Sequence, residues 1–155
     1  MKKLLTLLCV CSLQVMYAQN FSGKLKILND LVEKITLENA TDLLRNYQYR
    51  FGTDISKTKS KTYLYGHQKN DDDIAVVYFS EQNEFQGLLL TFSNKEYKSA
   101  IKELKEFEFK EVRKERNGKE LEVQWRRSGY RHAFVSDDVH KKIYLYNRDY
   151  LDKQK

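Results

Sequence analysis

Residues 125–132, which read WRRSGYRH, hold the densest group of side chains in this sequence that could bind an anion. They include the only tryptophan, three arginines, a tyrosine and one of the three histidines. Guanidinium groups bind carboxylates and phosphates through paired hydrogen bonds, and a tyrosine adds contact area together with a hydroxyl. The candidate binding site for an anion or a protein partner is therefore Arg126, Arg131, Arg127 and Tyr130.

The SG pair at 128–129 predicts that this segment is the tip of a β-hairpin. A two-residue loop there sets Trp125 opposite His132 on the core-facing side of the sheet. It also sets Arg126 opposite Arg131 on the other side, and like charges directly opposite each other are unfavourable. Solvent screening, a neighbouring carboxylate or aromatic ring, or a bound anion could relieve this pair.

A second hairpin is predicted from the Asn-Gly dipeptide at 117–118, because both residues tolerate the positive φ angles of a type I′ turn. This turn sets Phe109 opposite Arg126. The resulting register places Phe109 and Val112 on opposite faces of the sheet, so we expect a β-bulge between them.

Other chemistries find little support in the sequence. The three histidines lack the spacing of a zinc site, and DDD at 71–73 lacks the alternating carboxylates and the glycine of a calcium loop. We expect an exposed turn at DDD, and no metal or cofactor is predicted. A small envelope hydrolase that uses His132 with a nearby carboxylate stays an alternative. The predicted register, however, puts Glu122 on the face opposite to His132.

The charge of the chain is uneven. The net charge is +6, and residues 95–155 carry 17 basic against 12 acidic side chains, a local charge of +5. This is a mild bias toward anionic partners, and it lacks the concentrated basic stripe that is typical of nucleic-acid binding.

The chain opens with MKKLLTLLCVCSLQVMYAQN, which has the layout of a secretory signal peptide. We expect cleavage near Ala18, so that residues 1–18 are the signal and residues 19–155 form one periplasmic or secreted domain. Both cysteines lie in the signal, which leaves the mature chain without a thiol or a disulfide. Acylation of Cys9 or Cys11 stays an alternative. No later apolar run is long enough to span a membrane.

The periodicity of the remaining chain predicts an α+β fold. Apolar residues recur at helical spacing over residues 24–35 and 38–46, and Ser93 with Glu96 forms a capping box for a helix that ends near Glu106. Strand patterns fill the rest, at about 62–67, 74–79, 85–92 and 143–146 and in the hairpins between 109 and 137. The expected architecture is an antiparallel sheet of about seven strands built of hairpins, with two to three helices on one face.

Eleven tyrosines, several of them in predicted strands, suit a half-buried sheet but also suit a binding surface. The run KKIYLYNRDYL at 141–151 could bind an acidic polymer or protein, or form an edge strand protected by lysines. We expect an exported, non-catalytic binding or interaction domain that engages an anionic ligand or a protein partner. A structural or assembly protein with a flat tyrosine-rich sheet face is a further alternative.

Overall fold

The computed structural model describes residues 21–117 and 120–147, without the side chains of Asn117 and Glu120. The predicted signal peptide and both cysteines lie outside these residues. The described chain forms three helices, α1 (Gly23–Val32), α2 (Ala40–Arg45) and α3 (Asn94–Glu106). Its strands are β1 (Tyr49–Asp54), β2 (Ser60–His67), β3 (Asn70–Ser80), β4 (Phe85–Thr91), β5 (Lys110–Asn117), β6 (Glu120–Arg126), β7 (His132–Asp137) and β8 (Lys142–Asn147).

All eight strands belong to one antiparallel sheet with the order β1-β2-β3-β4-β8-β7-β6-β5. The predicted α+β class is confirmed, with eight strands in place of about seven. The additional strand is β1, an edge strand of which only Tyr49 is buried. Because its other residues show no alternating apolar pattern, β1 could not be found from hydrophobic periodicity.

The order of the strands follows from the position of α3. This helix leads the chain from β4 to the far edge, where β5 begins, and the following meander returns to the middle of the sheet. β8 therefore pairs with β4 and with β7, so the proposed role of residues 141–151 as a protected edge strand is wrong for β8.

The core lies on one face of the sheet. At the β4–β8 junction Leu88 pairs with Leu145 and Leu90 with Ile143, and all four side chains are fully buried. The helices cover this face with apolar side chains, among them Leu25, Leu28, Leu44, Tyr97 and Leu104. No helix in the described residues has the length and apolar character needed to cross a membrane.

The predicted capping box at the start of α3 is confirmed. The Ser93 side chain accepts a hydrogen bond from the backbone N–H of Glu96, and the Glu96 carboxylate accepts one from the backbone N–H of Ser93. Burial alone would raise the pKa of Glu96, but hydrogen bonds to its carboxylate from the backbone and side chain of Ser93, with the nearby Lys24, hold that pKa below its ordinary value. The helix therefore begins where the sequence indicates.

The acidic run at 71–73 is strand rather than turn, since β3 begins at Asn70. Asp71 and Asp72 are exposed, but Asp73 is buried and forms an ion pair of 2.8 Å with Lys24 of α1. Asp73 also accepts a hydrogen bond of 2.7 Å from the Tyr49 hydroxyl. The third carboxylate therefore ties α1 and β1 to the sheet.

The opposite face of the sheet, which we call the open face, carries residues that are absent from the helix-covered core cluster. Gly87 of β4 lies directly beneath the ring of Tyr146, whose Cδ1 atom would stand only 2.6 Å from a Cβ at position 87. Tyr146 stacks on Tyr144 at 5.5 Å between ring centres. The glycine thus lets a tyrosine ring lie flat on the sheet.

Gly87→Ala is expected to lower the free energy of unfolding by about 1–3 kcal/mol, because the new methyl group meets the Tyr146 ring and over-packed sites cost this much. Gly66→Ala is the matched control, since a Cβ at position 66 has no neighbour within 4 Å. Urea-induced unfolding of both variants measures the difference. Equal stability of the two variants would contradict the packing of Tyr146 on Gly87.

Candidate functional site: a basic pocket on the open face

The predicted turn at 128–129 is present. The backbone N–H of Tyr130 donates to the carbonyl of Arg127 at 3.3 Å, which closes a four-residue turn. Gly129 has a φ of 76°, in the left-handed region that glycine adopts without steric cost. Strand pairing does not resume at once after this turn, however, because β7 begins only at residue 132.

The register of the β6–β7 hairpin differs from the predicted one by two residues. Trp125 lies opposite Phe134 rather than His132, so the predicted facing pair of Arg126 and Arg131 is wrong. A shift of two residues leaves the faces of the sheet unchanged. Trp125 and His132 are accordingly both buried on the helix side, as the sequence indicates.

Two of the four predicted binding residues turn toward α1 instead. The Tyr130 hydroxyl donates to Asn29 at 2.7 Å, and its ring stacks parallel to Phe134 at 6.0 Å. Burial, with a smaller contribution from Glu33, raises the pKa of this hydroxyl well above its ordinary value. The exposed side chain of Arg131 lies 3.9 Å from Glu33. These contacts remove residues 130 and 131 from the hairpin and explain the change of register.

The register of the β5–β6 hairpin also differs from the predicted one. Arg126 lies opposite Lys110 rather than Phe109. A bulge was expected between Phe109 and Val112, and β5 does contain one, but it lies between positions 111 and 113, at Val112 itself. The predicted Asn-Gly turn at 117–118 extends beyond the described residues.

This bulge decides which side chains of β5 reach the open face. In a regular strand, Lys110 and Arg113 would point to opposite faces, because their positions differ by an odd number. The extra residue at Val112 shifts the alternation of side chains between the two faces by one position. Lys110 and Arg113 therefore share the open face with their partners Arg126 and Gln124.

These side chains line an open cavity of about 560 Å³, which we call the basic pocket. Its lining is Lys110, Val112, Arg113, Gln124, Arg126, Arg127, Ser128 and Gly129. Four of these eight residues are cationic and none is acidic. Arg113 forms an ion pair with Glu115, which lies next to the lining, so part of the positive charge is already balanced.

The electrostatics of the basic pocket concentrate positive charge. Lys110 and Arg126 form a directly opposed pair of like charges, which is destabilising in a sheet. Arg127 is held in place by a hydrogen bond of 3.2 Å from its Nη1 to the carbonyl of Phe107, and it lies 5.9 Å from the ring centre of Phe109. The guanidinium of Arg127 is thus positioned by the end of α3.

A second cavity of about 580 Å³ adjoins the basic pocket and shares five of its residues. It adds Lys105, Glu108 and Phe109. Lys105 lies 5.7 Å from the Trp125 ring centre, so it has an aromatic neighbour. Because Glu108 and the negative end of α3 lie on this side, the basic pocket offers an anion the more favourable environment.

A third cavity, of about 520 Å³, lies in the other half of the open face, and we call it the apolar groove. Its apolar walls are the aliphatic residues Ile55, Leu64, Ile74, Val76 and Leu89 with the rings of Tyr78 and Tyr144, and its polar lining includes Ser60, Thr62, Gln86 and Thr91. Lys57 and Lys142 also belong to its lining, which contains no carboxylate and no helix residue.

His132, the residue of the alternative hydrolase hypothesis, has a carboxylate partner that the sequence did not indicate. Its Nε2 lies 2.6 Å from Glu33 Oε1, at the end of α1. His132 is only 5% exposed, and it lines neither the apolar groove, nor the basic pocket, nor the second cavity that adjoins the pocket. The contact ties the start of β7 to α1, and nothing in its geometry presents a substrate to the histidine.

Sequence reasoning included Arg126 and Arg127 but missed Lys110 and Arg113. The signal was present as the alternating charges of KEVRKER at 110–116, but its division between the faces depends on the bulge.

No protein-family model matches the chain, and comparison with curated proteins and with solved structures gives no match either.

Tyr130→Phe is expected to lower the free energy of unfolding by about 1 kcal/mol, because it removes the hydrogen bond to Asn29. Its retention on a carboxylate-bearing cation-exchange resin should stay unchanged. Tyr63→Phe is the control, since in the described chain the Tyr63 hydroxyl makes no hydrogen bond. Reduced retention of Tyr130→Phe at unchanged stability would indicate that Tyr130 belongs to the binding site.

Proposed function

We propose that the protein is an exported, non-catalytic binding domain that holds an anionic group of a partner in the basic pocket. The observation that carries this proposal is the lining of the pocket, in which four cationic residues from β5, β6 and the following turn meet, and of which Arg113 is paired with Glu115. Two of them, Arg126 and Arg127, belong to the site expected from the sequence.

The chemistry of the pocket favours binding over catalysis. Arginine and lysine stay protonated near neutral pH, so they attract an anion without exchanging protons with it. The lining contains no histidine or carboxylate to act as a base for Ser128, the one hydroxyl in the pocket. Because Lys110 and Arg126 lie directly opposite each other on β5 and β6, an anion in the pocket would be near both side chains.

Export is the second part of the proposal, and the N-terminal sequence supports it. Cleavage near Ala18 would remove the basic and apolar residues of the predicted signal together with both cysteines. Mass spectrometry of the protein isolated from cells that express the full chain is expected to show a chain that starts near residue 19. An intact N-terminus would contradict export by this signal.

The double variant Lys110→Ser/Arg126→Ser tests the basic pocket. Its affinity for poly-L-glutamate is expected to fall roughly tenfold at low salt, since two partly exposed charge contacts contribute about 0.5–1 kcal/mol each. The difference should shrink as salt rises, because salt screens exposed charges. Fluorescence anisotropy of labelled poly-L-glutamate measures both effects.

Lys34→Ser/Lys98→Ser is the matched control, because it removes the same charge from two exposed positions on the helix side. It is expected to bind poly-L-glutamate nearly as well as the unmodified protein. If the two double variants bind equally, net charge accounts for the binding and the pocket does not.

A further inference from the structure

The apolar groove shares the open face with the basic pocket and is linked to it by one row of paired residues. Leu89 pairs with Tyr144, Tyr144 with Val135, and Val135 with Gln124, which lines the basic pocket. Leu89 and Gln124 are thus three strand spacings apart, or about 14 Å. The groove and the pocket are neighbours on one continuous surface.

The dimensions of this surface point to a macromolecular ligand. Eight strands make the open face roughly 34 Å wide, and about six residues of each strand give it a height of roughly 20 Å. The resulting area of roughly 700 Å² is close to the ~800 Å² that each partner contributes to a standard protein–protein interface. A small molecule that fills one cavity would leave the other empty.

The chemistry of the surface indicates the partner's side chains. An apolar cavity bordered by tyrosines is the kind of site that receives an anchoring aromatic or aliphatic side chain at the centre of an interface. Lys57 and Lys142 belong to the groove and four cations belong to the basic pocket, while neither lining contains a carboxylate. One of the four cations, Arg113, is paired with Glu115, so positive charge is in excess along the two linings. The complementary surface is therefore acidic around an apolar anchor.

We propose that the open face binds an acidic segment of a partner protein, whose aromatic or aliphatic anchor enters the apolar groove while its carboxylates reach the basic pocket. This inference rests on the proposed function of the basic pocket and adds the class of partner. About four residues of extended chain span the 14 Å between the two cavities, which sets the spacing between the anchor and the acidic group.

Selection from a random peptide library of about 16 residues, displayed on phage, tests the inference with defined probes. The target is the protein isolated from cells expressing the full chain, and selection is carried out at low salt. The enriched peptides are expected to carry an aromatic or branched aliphatic residue about four positions from two or more acidic residues. Enrichment of basic peptides, or of acidic peptides without an anchor, overturns the inference.

The most enriched peptide is then titrated against variants of each cavity. Tyr144→Ala, and Leu64→Gln as a second groove variant, should weaken it about tenfold at both about 50 mM and about 500 mM salt, since apolar contacts are not screened. Phe51→Ser is the control, because it removes a half-exposed aromatic ring beside Tyr65 on the other face. Circular dichroism confirms that each variant is folded.

The outcomes separate the inference from the proposed function. If the folded groove variants bind as tightly as Phe51→Ser, the groove takes no anchor and the inference fails, while the basic pocket can still bind its anion. If Lys110→Ser/Arg126→Ser binds the peptide as tightly as the unmodified protein at low salt, the proposed function fails. If no peptide is enriched over a variant that combines Tyr144→Ala with these two changes, both fail.

Discussion

The pairing of β4 with β8 is the interaction on which the rest of the structure depends. It joins β1–β4 to β5–β8, and among the described strands it is the one pairing between the two meanders. Four fully buried side chains, Leu88, Leu90, Ile143 and Leu145, form the junction beneath the helices. Burial of each contributes about 1.5–3 kcal/mol before the entropy of ordering is subtracted, so together they match the net stability of a typical domain. The same junction makes the open face continuous from β2 to β5.

One-sided helix cover is the consequence of this arrangement. The described helices pack on one face, so within the described residues no helix covers the apolar side chains of the open face. Some of these side chains are nevertheless buried: Val76 is 8% exposed and Leu89 is 4% exposed, although no helix residue lines their cavity. Tyr146 lies flat over Gly87 and stacks on Tyr144, which reduces the exposure of the sheet further. Tyr78, Tyr144 and Tyr146 nevertheless stay partly exposed on this face.

The sequence predicted which face of the sheet a residue occupies better than it predicted which residues pair across neighbouring strands. Alternation is a local property, so Trp125 and His132 were correctly assigned to the core side, and the capping box of α3 was found at its true position. The register of a hairpin depends on the number of residues in its turn, and here contacts with distant residues set that number. The hydrogen bond from Tyr130 to Asn29 joins residues 101 positions apart, and no pattern near residue 130 encodes it. Asp73 was misread for the same reason, since its partner Lys24 lies on another element.

The charge of the candidate site depends on a single bulge residue, whose effect on the faces of β5 cannot be read from the composition of the segment. The segment 110–116 contains basic and acidic residues in near alternation, and a regular strand would keep Lys110 and Arg113 on opposite faces. The bulge at Val112 brings both to the open face, beside Arg126 on the neighbouring strand. Glu111 stays on the helix side, opposite Trp125, whereas Glu115 forms an ion pair with Arg113. The position of these basic side chains on the open face therefore arises from backbone geometry, because the bulge changes which face each later residue of β5 occupies.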